Sequence, residues 1–216
     1  MTAIRHTALF HIHRGAGASL TEHHGWQVPA YFAGAEVEAK NLARSAALGD
    51  ISWMIKLDLK GDGLEMAPVI PDGRVWGLGR QHYLVTCEPA ASNAVSAQIR
   101  LGSPASSGLP QQFHITDVTS VYAQFLLAGP RSVDILRKLT SLNVAALQNF
   151  ACRQASLAHV HSTVLREDLG KIPAFHILVS REYGESVWHA ILHAGHEFQL
   201  SPFGLQALQL VGGGAC

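Results

Sequence analysis

The thirteen histidines of this chain are the residues whose type and spacing most directly suggest chemistry, because imidazole is a common metal ligand. They include three groupings: His11 with His13, His159 with His161, and His189 with His193 and His196. In the third grouping, a spacing of four residues places two imidazoles on one face of a helix. A zinc site needs three or four converging ligands, and Glu197 points away from that face. The pattern therefore favours exposed or half-buried histidines, and we predict no metal site.

The three cysteines, Cys87, Cys152 and Cys216, are far apart in the sequence and form no CxxC pair. This arrangement is typical of free thiols in a reducing compartment rather than of a disulfide framework. We therefore expect a cytoplasmic protein. The N-terminal segment agrees with this expectation, because arginine and histidine interrupt every apolar run that could serve as a secretory signal.

Acidic and basic residues are balanced, with 16 of each and a formal net charge of +0 at pH 7. The chain has no surplus of lysine and arginine to neutralise phosphates, so we expect neither nucleic acid nor a membrane surface as a partner. No stretch approaches the roughly 20 apolar residues that span a bilayer. A hydrophobic content of 48% in 216 residues indicates one or two globular domains with a sizeable core.

Hydrophobic periodicity and turn signals predict the elements that must position these residues. In the first half they are an aromatic loop over 24–32, a helix over 36–48, strands over 51–59, 74–77 and 81–87, and a helix over 90–100. In the second half they are strands over 113–119, 122–128, 155–166 and 174–179, and helices over 131–139 and 180–196.

Strands and helices are therefore mixed twice, with hairpins, which favours an α+β fold over a doubly wound sheet. The segment 102–110 is rich in glycine, serine and proline and marks a linker. It divides the chain into a predicted N-terminal subdomain, 1–101, and a second, ferredoxin-like α+β subdomain, 111–211.

The order of several short motifs resembles the glycine-cleavage T-protein family, the tetrahydrofolate-dependent aminomethyltransferases. No single motif carries the resemblance, which spans nearly the whole chain in the family's order. The matching residues are Thr7-Ala8-Leu9-Phe10, His13, Gly17-Ala18, Gly25-Trp26, Pro29, Tyr31, 48–54 (LGDISWM), 127–132 (LAGPRS), 181–192 (REYGESVWHAIL) and 202–205 (PFGL).

The resemblance implies a T-protein-like folate-binding fold of two intertwined subdomains, each with a mixed sheet and helices. In such proteins the aromatic loop lies over the front of a central folate cavity, and the following helix and strand help to build its wall. The resemblance also implies tetrahydrofolate as the cofactor. The C-terminal β-barrel of the family is not expected in this chain.

Departures from the family pattern affect the residues that the family uses for chemistry. The segment resembling the catalytic hairpin is 71–77 (PDGRVWG), where Asp72 has no second acid beside it. His176 stands where the family has a folate-binding glutamate, and the arginine of the last motif is absent from 204–210. Trp53 replaces a histidine of the family. No catalytic residue is therefore assigned, and whether the chain is an enzyme stays open.

A second resemblance is to the small γ subunit of heterotetrameric sarcosine oxidase, which has about this length and no barrel. That subunit is non-catalytic and packs against flavin-bearing chains. Three functions therefore remain open: a folate-family protein of one-carbon metabolism without independent catalysis, an accessory subunit of a sarcosine-oxidase-like amine oxidase, and an active aminomethyltransferase completed by a partner chain. Use of the fold only as an interaction scaffold is a further alternative.

Recognition of a pterin ring requires a carboxylate that accepts hydrogen bonds from the ring's amino group and ring N–H. The acids near predicted strand ends are Asp50, Asp58 and Asp117, and acids in such positions are often turn or cap residues. An alternative interpretation is that Trp26, Tyr31 and Phe32 only cap the core. By family position, the residues expected to line a folate cavity are Trp26, Tyr31, Met54, Tyr83, Asp117 and His176.

Overall fold

The structure is a computed structural model that describes residues 4–61, 69–102 and 113–212. The strands are β1 (Arg5–His6), β2 (Ser19–His23), β3 (Trp26–Tyr31), β4 (Ala47–Asp50), β5 (Ile55–Gly61), β6 (Val69–Ile70), β7 (Gly73–Gly79), β8 (His82–Cys87), β9 (Phe113–Asp117), β10 (Tyr122–Ala128), β11 (Cys152–Leu157), β12 (Val160–Arg166), β13 (Ala174–Ser180) and β14 (Ser201–Phe203). The helices are α1 (Phe10–Gly15), α2 (Ala35–Arg44), α3 (Ser92–Gly102), α4 (Ser132–Leu139), α5 (Gly184–Gly195) and α6 (Leu205–Gly212). Within these described segments, no helix has the length and apolar character needed to cross a bilayer.

The chain divides into two compact units. The first contains residues up to Ser52 and those from Tyr122 onward, whereas the second runs from Trp53 to Val121. This division differs from the predicted one at 102–110 because β4, from the first half of the chain, pairs with β10 from the second half. Apart from Gly102, the predicted linker lies outside the described residues.

The first unit is built on a six-stranded sheet with the order β11-β12-β13-β10-β4-β14. Its pairs are antiparallel except β14 with β4, which are parallel, and a separate three-stranded sheet has the order β1-β3-β2. Six of the seven residues of β10 are buried, as expected for a central strand that is covered on both faces. Phe125 of this strand packs against Trp188 of α5, with 5.4 Å between ring centroids. The predicted α+β class with mixed sheets is confirmed.

The aromatic stretch that was expected to be a loop is instead the hairpin of β2 and β3. His24 and Gly25 form its two-residue turn with φ of 48° and 77°, a conformation that matches the twist of paired strands. Trp26 and Val28 are buried. Pro29 lies opposite Leu20, beside an irregularity in the register, where the missing N–H of proline can be tolerated.

The predicted helix over 36–48 ends earlier, because α2 stops at Arg44. The four residues of β4 are all buried and pair with β10. A surface helix buries only one stripe, so four consecutive buried residues suit a central strand better. The predicted strand over 155–166 is likewise two strands, joined by a turn in which Ala158 and His159 have positive φ.

The second unit contains a five-stranded antiparallel sheet with the order β6-β7-β8-β5-β9. Alternate residues of β5, Ile55, Leu57 and Leu59, lie in its apolar core together with Val95 and Ile99 of α3. The predicted alternation over 51–59 therefore identifies the buried face of the strand correctly, although β5 begins only at Ile55.

Candidate functional site

Three of the predicted site residues lie in the first unit. Trp26 opens β3 and is 2% exposed; its Nε1 has no hydrogen-bond partner among the described residues, and the Arg5 guanidinium lies 4.8 Å from the ring centroid. Tyr31 ends the same strand and is 38% exposed. His176 is buried in β13, which belongs to the other sheet of this unit.

The other three lie in the second unit, in separate local settings. Met54 precedes β5, and its carbonyl accepts a hydrogen bond of 2.7 Å from Lys56 Nζ. Tyr83 of β8 packs against the apolar core of this unit. The Oδ1 of Asp117 accepts a 2.8 Å hydrogen bond from the Thr119 backbone N–H, which gives this carboxylate a role in the turn after β9.

A buried polar network in the first unit is centred on Asp50, at the end of β4. His13 Nε2 lies 2.9 Å from Asp50 Oδ2, and both side chains are almost fully buried. The other carboxylate oxygen, Oδ1, accepts hydrogen bonds from the Ser52 backbone N–H at 3.0 Å and from the Ser52 hydroxyl at 2.6 Å. The carboxylate is thus held by three donors from two segments of the chain.

The network continues from Ser52 to His176 of β13. The Gln124 backbone N–H donates to Ser52 Oγ at 2.9 Å, and the Gln124 side-chain amide lies 3.1 Å from His176 Nδ1. An amide N–H can only donate, so His176 Nδ1 accepts and its proton resides on Nε2. That nitrogen lies 3.8 Å from Glu167 Oε2. His176 and Glu167 are therefore the end of the network that is closest to solvent.

Opposing effects set the pKa of Asp50. Complete burial acts to raise it, but the hydrogen bond from His13, the charge of that imidazole and the hydrogen bond from Ser52 outweigh burial. The pKa of Asp50 therefore lies below its ordinary value, and the group is an anion at neutral pH. A carboxylate in this state can orient His13 but cannot act as a proton donor.

A second buried carboxylate, that of Glu38, binds the backbone that directly follows β3. Glu38 of α2 is 2% exposed, and its Oε1 accepts backbone N–H groups of Phe32, Ala33 and Gly34 at 2.6, 2.7 and 3.2 Å. Its Oε2 accepts the Gly204 N–H at 2.9 Å. Glu38 therefore ties the segment after β3 to the segment before α6.

The cysteines and histidines offer little further chemistry. Burial, helped by the nearby charges of Glu88 and Asp117, raises the pKa of the Cys87 thiol to about 11, and burial also raises the pKa of Cys152. Neither Cys87 nor Cys152 forms a disulfide with a described residue, and both thiols stay protonated at neutral pH, which makes them poor nucleophiles. His189 and His193 are exposed on α5. In the described part of the chain, no three His, Cys, Asp or Glu side chains are grouped closely enough to hold a metal.

Sequence reasoning placed His176 among the candidates but missed its partners, Gln124 and Glu167. One signal was available: Asp50 and Ser52 are two residues apart, so they lie on the same side of an extended chain. The pairing of His13 with Asp50 joins residues 37 positions apart and has no local signal.

Comparison with protein families gives one match over most of the chain. The model described as the GCVT N-terminal domain covers residues 64–211. Curated relatives include the aminomethyltransferase of Acidobacterium capsulatum, which is 28% identical over 95% of this chain and 61% of its own length. The aminomethyltransferase of Saccharopolyspora erythraea is 27% identical over 95% of this chain and 62% of its own length. The chain thus spans about three fifths of the length of these relatives.

The solved structures that share the fold include an aminomethyltransferase and a chain of an oxidase. The glycine cleavage system aminomethyltransferase T from Bartonella henselae has a TM-score of 0.78 and 15% identity, over 97% of this chain and 62% of that chain. A chain of the heterotetrameric sarcosine oxidase from Corynebacterium sp. U-96, in complex with pyrrole 2-carboxylate, has a TM-score of 0.61 and 18% identity, over 90% of this chain and 96% of that chain. Both resemblances predicted from the sequence are confirmed at the level of the fold.

Proposed function

Because the chain belongs to the GCVT N-terminal domain family, we propose that it is a T-protein-like protein of tetrahydrofolate-dependent one-carbon metabolism that binds a folate without catalysing aminomethyl transfer alone. The proposal has two parts, the loss of catalysis and the retention of ligand binding. Each depends on different residues.

The observation that carries the first part is the position of Asp72. It lies with Pro71 at the exposed tip of the β6–β7 hairpin, with φ of 60°, a conformation that aspartate tolerates in turns. Among the described residues of this hairpin it is the sole acid. Proton transfer at the reacting nitrogen of a folate needs a positioned acid or base, which a solvated turn residue does not provide.

Ligand binding in this proposal relies on His176 and Glu167. His176 occupies the position where the family resemblance implies a folate-binding glutamate, and Glu167 lies 3.8 Å from it. Glu167 is 20% exposed and could supply the carboxylate that a pterin ring requires. Trp26 supports the proposal as well, because its buried indole N–H is a donor with no described acceptor. The six predicted ligand contacts stay a proposal within each unit by itself: Trp26, Tyr31 and His176 in the first unit, and Met54, Tyr83 and Asp117 in the second.

The first part is tested by assaying methylenetetrahydrofolate formation from tetrahydrofolate and an aminomethyl donor that the Acidobacterium capsulatum enzyme accepts. We expect this chain to be at least about 1,000-fold slower than that enzyme, since general acid–base catalysis contributes about 100- to 10,000-fold. An Asp72→Asn variant should behave like the parent chain. A rate within 10-fold of the enzyme, or a clear loss of rate in Asp72→Asn, would contradict the proposal.

A second candidate function is an accessory subunit of a multi-subunit amine oxidase in the cytoplasm. The specific observation in its favour is the fold shared with a chain of a heterotetrameric oxidase, with a TM-score of 0.61. In this alternative the fold packs against partner chains and needs no folate. Measuring folate binding by the isolated chain therefore separates the two candidates.

A further inference from the structure

A cavity of about 530 Å³ lies in the first unit. It is formed by the segment from β1 to the first turn of α1 and by the two residues after β13. The aromatic and charged residues of its wall are His6, Phe10, His11, Arg181 and Glu182. Cavities of about 300–1,000 Å³ are typical of sites for small organic ligands.

The permanent cation of this wall is Arg181. Its Nη2 donates a hydrogen bond of 3.0 Å to the His6 carbonyl, which positions the guanidinium. No carboxylate among the described residues forms an ion pair with it, so most of its five N–H donors remain for a ligand. A guanidinium presents two parallel donors to a carboxylate, a geometry that favours this group over a neutral one.

The aromatic part of the wall is formed by rings in contact with one another. The His6 ring stacks on Phe10 with 3.9 Å between centroids and 2° between planes, and His11 meets Phe10 edge-on at 5.2 Å. Neither imidazole has a side-chain hydrogen bond among the described residues. The two imidazoles can donate to an anion, whereas Phe10 provides an apolar surface.

We propose that this cavity binds a small organic acid with one carboxylate and an apolar or aromatic body. The carboxylate pairs with Arg181, and the body packs on Phe10 and the imidazoles. Glu182 is the one acidic residue of the wall, and its charge disfavours ligands that carry a second anionic group. The inference concerns residues outside the proposed folate contacts and does not depend on that function.

The test is a titration of the isotope-labelled chain with benzoate, with binding followed by NMR shifts of the His6 and His11 imidazoles. Benzoate should saturate at millimolar concentration, whereas benzyl alcohol, its neutral counterpart, should bind at least 10-fold more weakly. Arg181→Gln should weaken benzoate binding at least 10-fold. Arg44→Gln, at an exposed arginine on α2 of the same unit, is the matched control and should have no effect.

Glu182→Gln provides an independent variant, because Glu182 is exposed and forms no described ion pair that its removal would break. Removing its charge should tighten benzoate binding about 2- to 5-fold. The inference is overturned by an absence of saturable shifts, by equal binding of benzyl alcohol, or by weakening that is the same in Arg44→Gln and Arg181→Gln. Unchanged benzoate affinity in Glu182→Gln would remove the proposed selection against dianions.

Discussion

Asp50→Ala should lower the free energy of unfolding by about 3 kcal/mol or more, because each buried donor left without an acceptor costs about 1–3 kcal/mol. The variant leaves the buried His13 imidazole and the Ser52 hydroxyl without the carboxylate that pairs with them. Domains of this size are stable by about 5–15 kcal/mol, so the loss would be a large part of the total. Urea unfolding followed by circular dichroism measures it directly.

The same carboxylate should make stability depend on acid pH. Because the pKa of Asp50 is lower in the folded chain than its ordinary value of 3.8, Asp50 contributes stability that is fully present well above that value. The contribution is lost as the pH falls through the folded-state pKa. The parent chain should therefore lose more stability than Asp50→Asn between about pH 5 and pH 2.

Asp134 offers a matched control for Asp50. It is an aspartate of α4 whose side chain is 35% exposed, and it pairs at 3.2 and 3.7 Å with the exposed Arg131 and Arg137. Exposed pairs contribute about 0–1 kcal/mol, so Asp134→Ala should change stability by no more than that. Equal losses in the two variants would contradict a special role for the Asp50 network.

Glu38→Ala should cost at least about 3 kcal/mol of unfolding free energy, because four backbone N–H groups lose their acceptor at once. Each buried donor left unsatisfied costs about 1–3 kcal/mol, and hydration of the less buried groups recovers part of that. The loss should also loosen the end of β3, and faster amide exchange at Phe32 and Gly204 would report it.

Glu36→Ala is the control for this second substitution. Glu36 belongs to the first turn of the same helix, its side chain is 84% exposed, and its described partner is Lys40 at 4.0 Å. Its removal should change stability by about 0.5 kcal/mol or less. If amide exchange at Phe32 and Gly204 did not change in Glu38→Ala, Glu38 would not be what joins these segments.

The parts of the fold with strong local signals were predictable from the sequence. The alternation of Ile55, Leu57 and Leu59 gave the buried face of β5 correctly, and β10 was recognised with its full bounds. Ala47 and Leu48 of β4 were misassigned to the preceding helix because apolar residues suit a helix as well as a buried strand. Pairing with β10, which lies about 75 residues further along the chain, decides between them.

Of the buried network, the sequence analysis named Asp50 as an acid near a predicted strand end and His176 by family position. His176 was found through the resemblance, whereas Gln124 and Glu167 approach it through pairing of β10 and β12 with β13. Glu38 carries no signal that distinguishes it from an exposed helical glutamate such as Glu36. What distinguishes Glu38 is the hydrogen bond that it accepts from the Gly204 N–H, far along the chain. Hydrophobic periodicity does not report such long-range contacts.

Calorimetric titration of the isolated, reduced chain with tetrahydrofolate at neutral pH tests the central claim most directly. The account predicts micromolar binding, about 10-fold weaker binding in His176→Ala, and no change in His189→Ala, whose imidazole is exposed on α5. 5-Formyltetrahydrofolate should bind at the same site and compete. A well-folded sample that releases no heat with either folate would contradict the account and favour the accessory-subunit alternative.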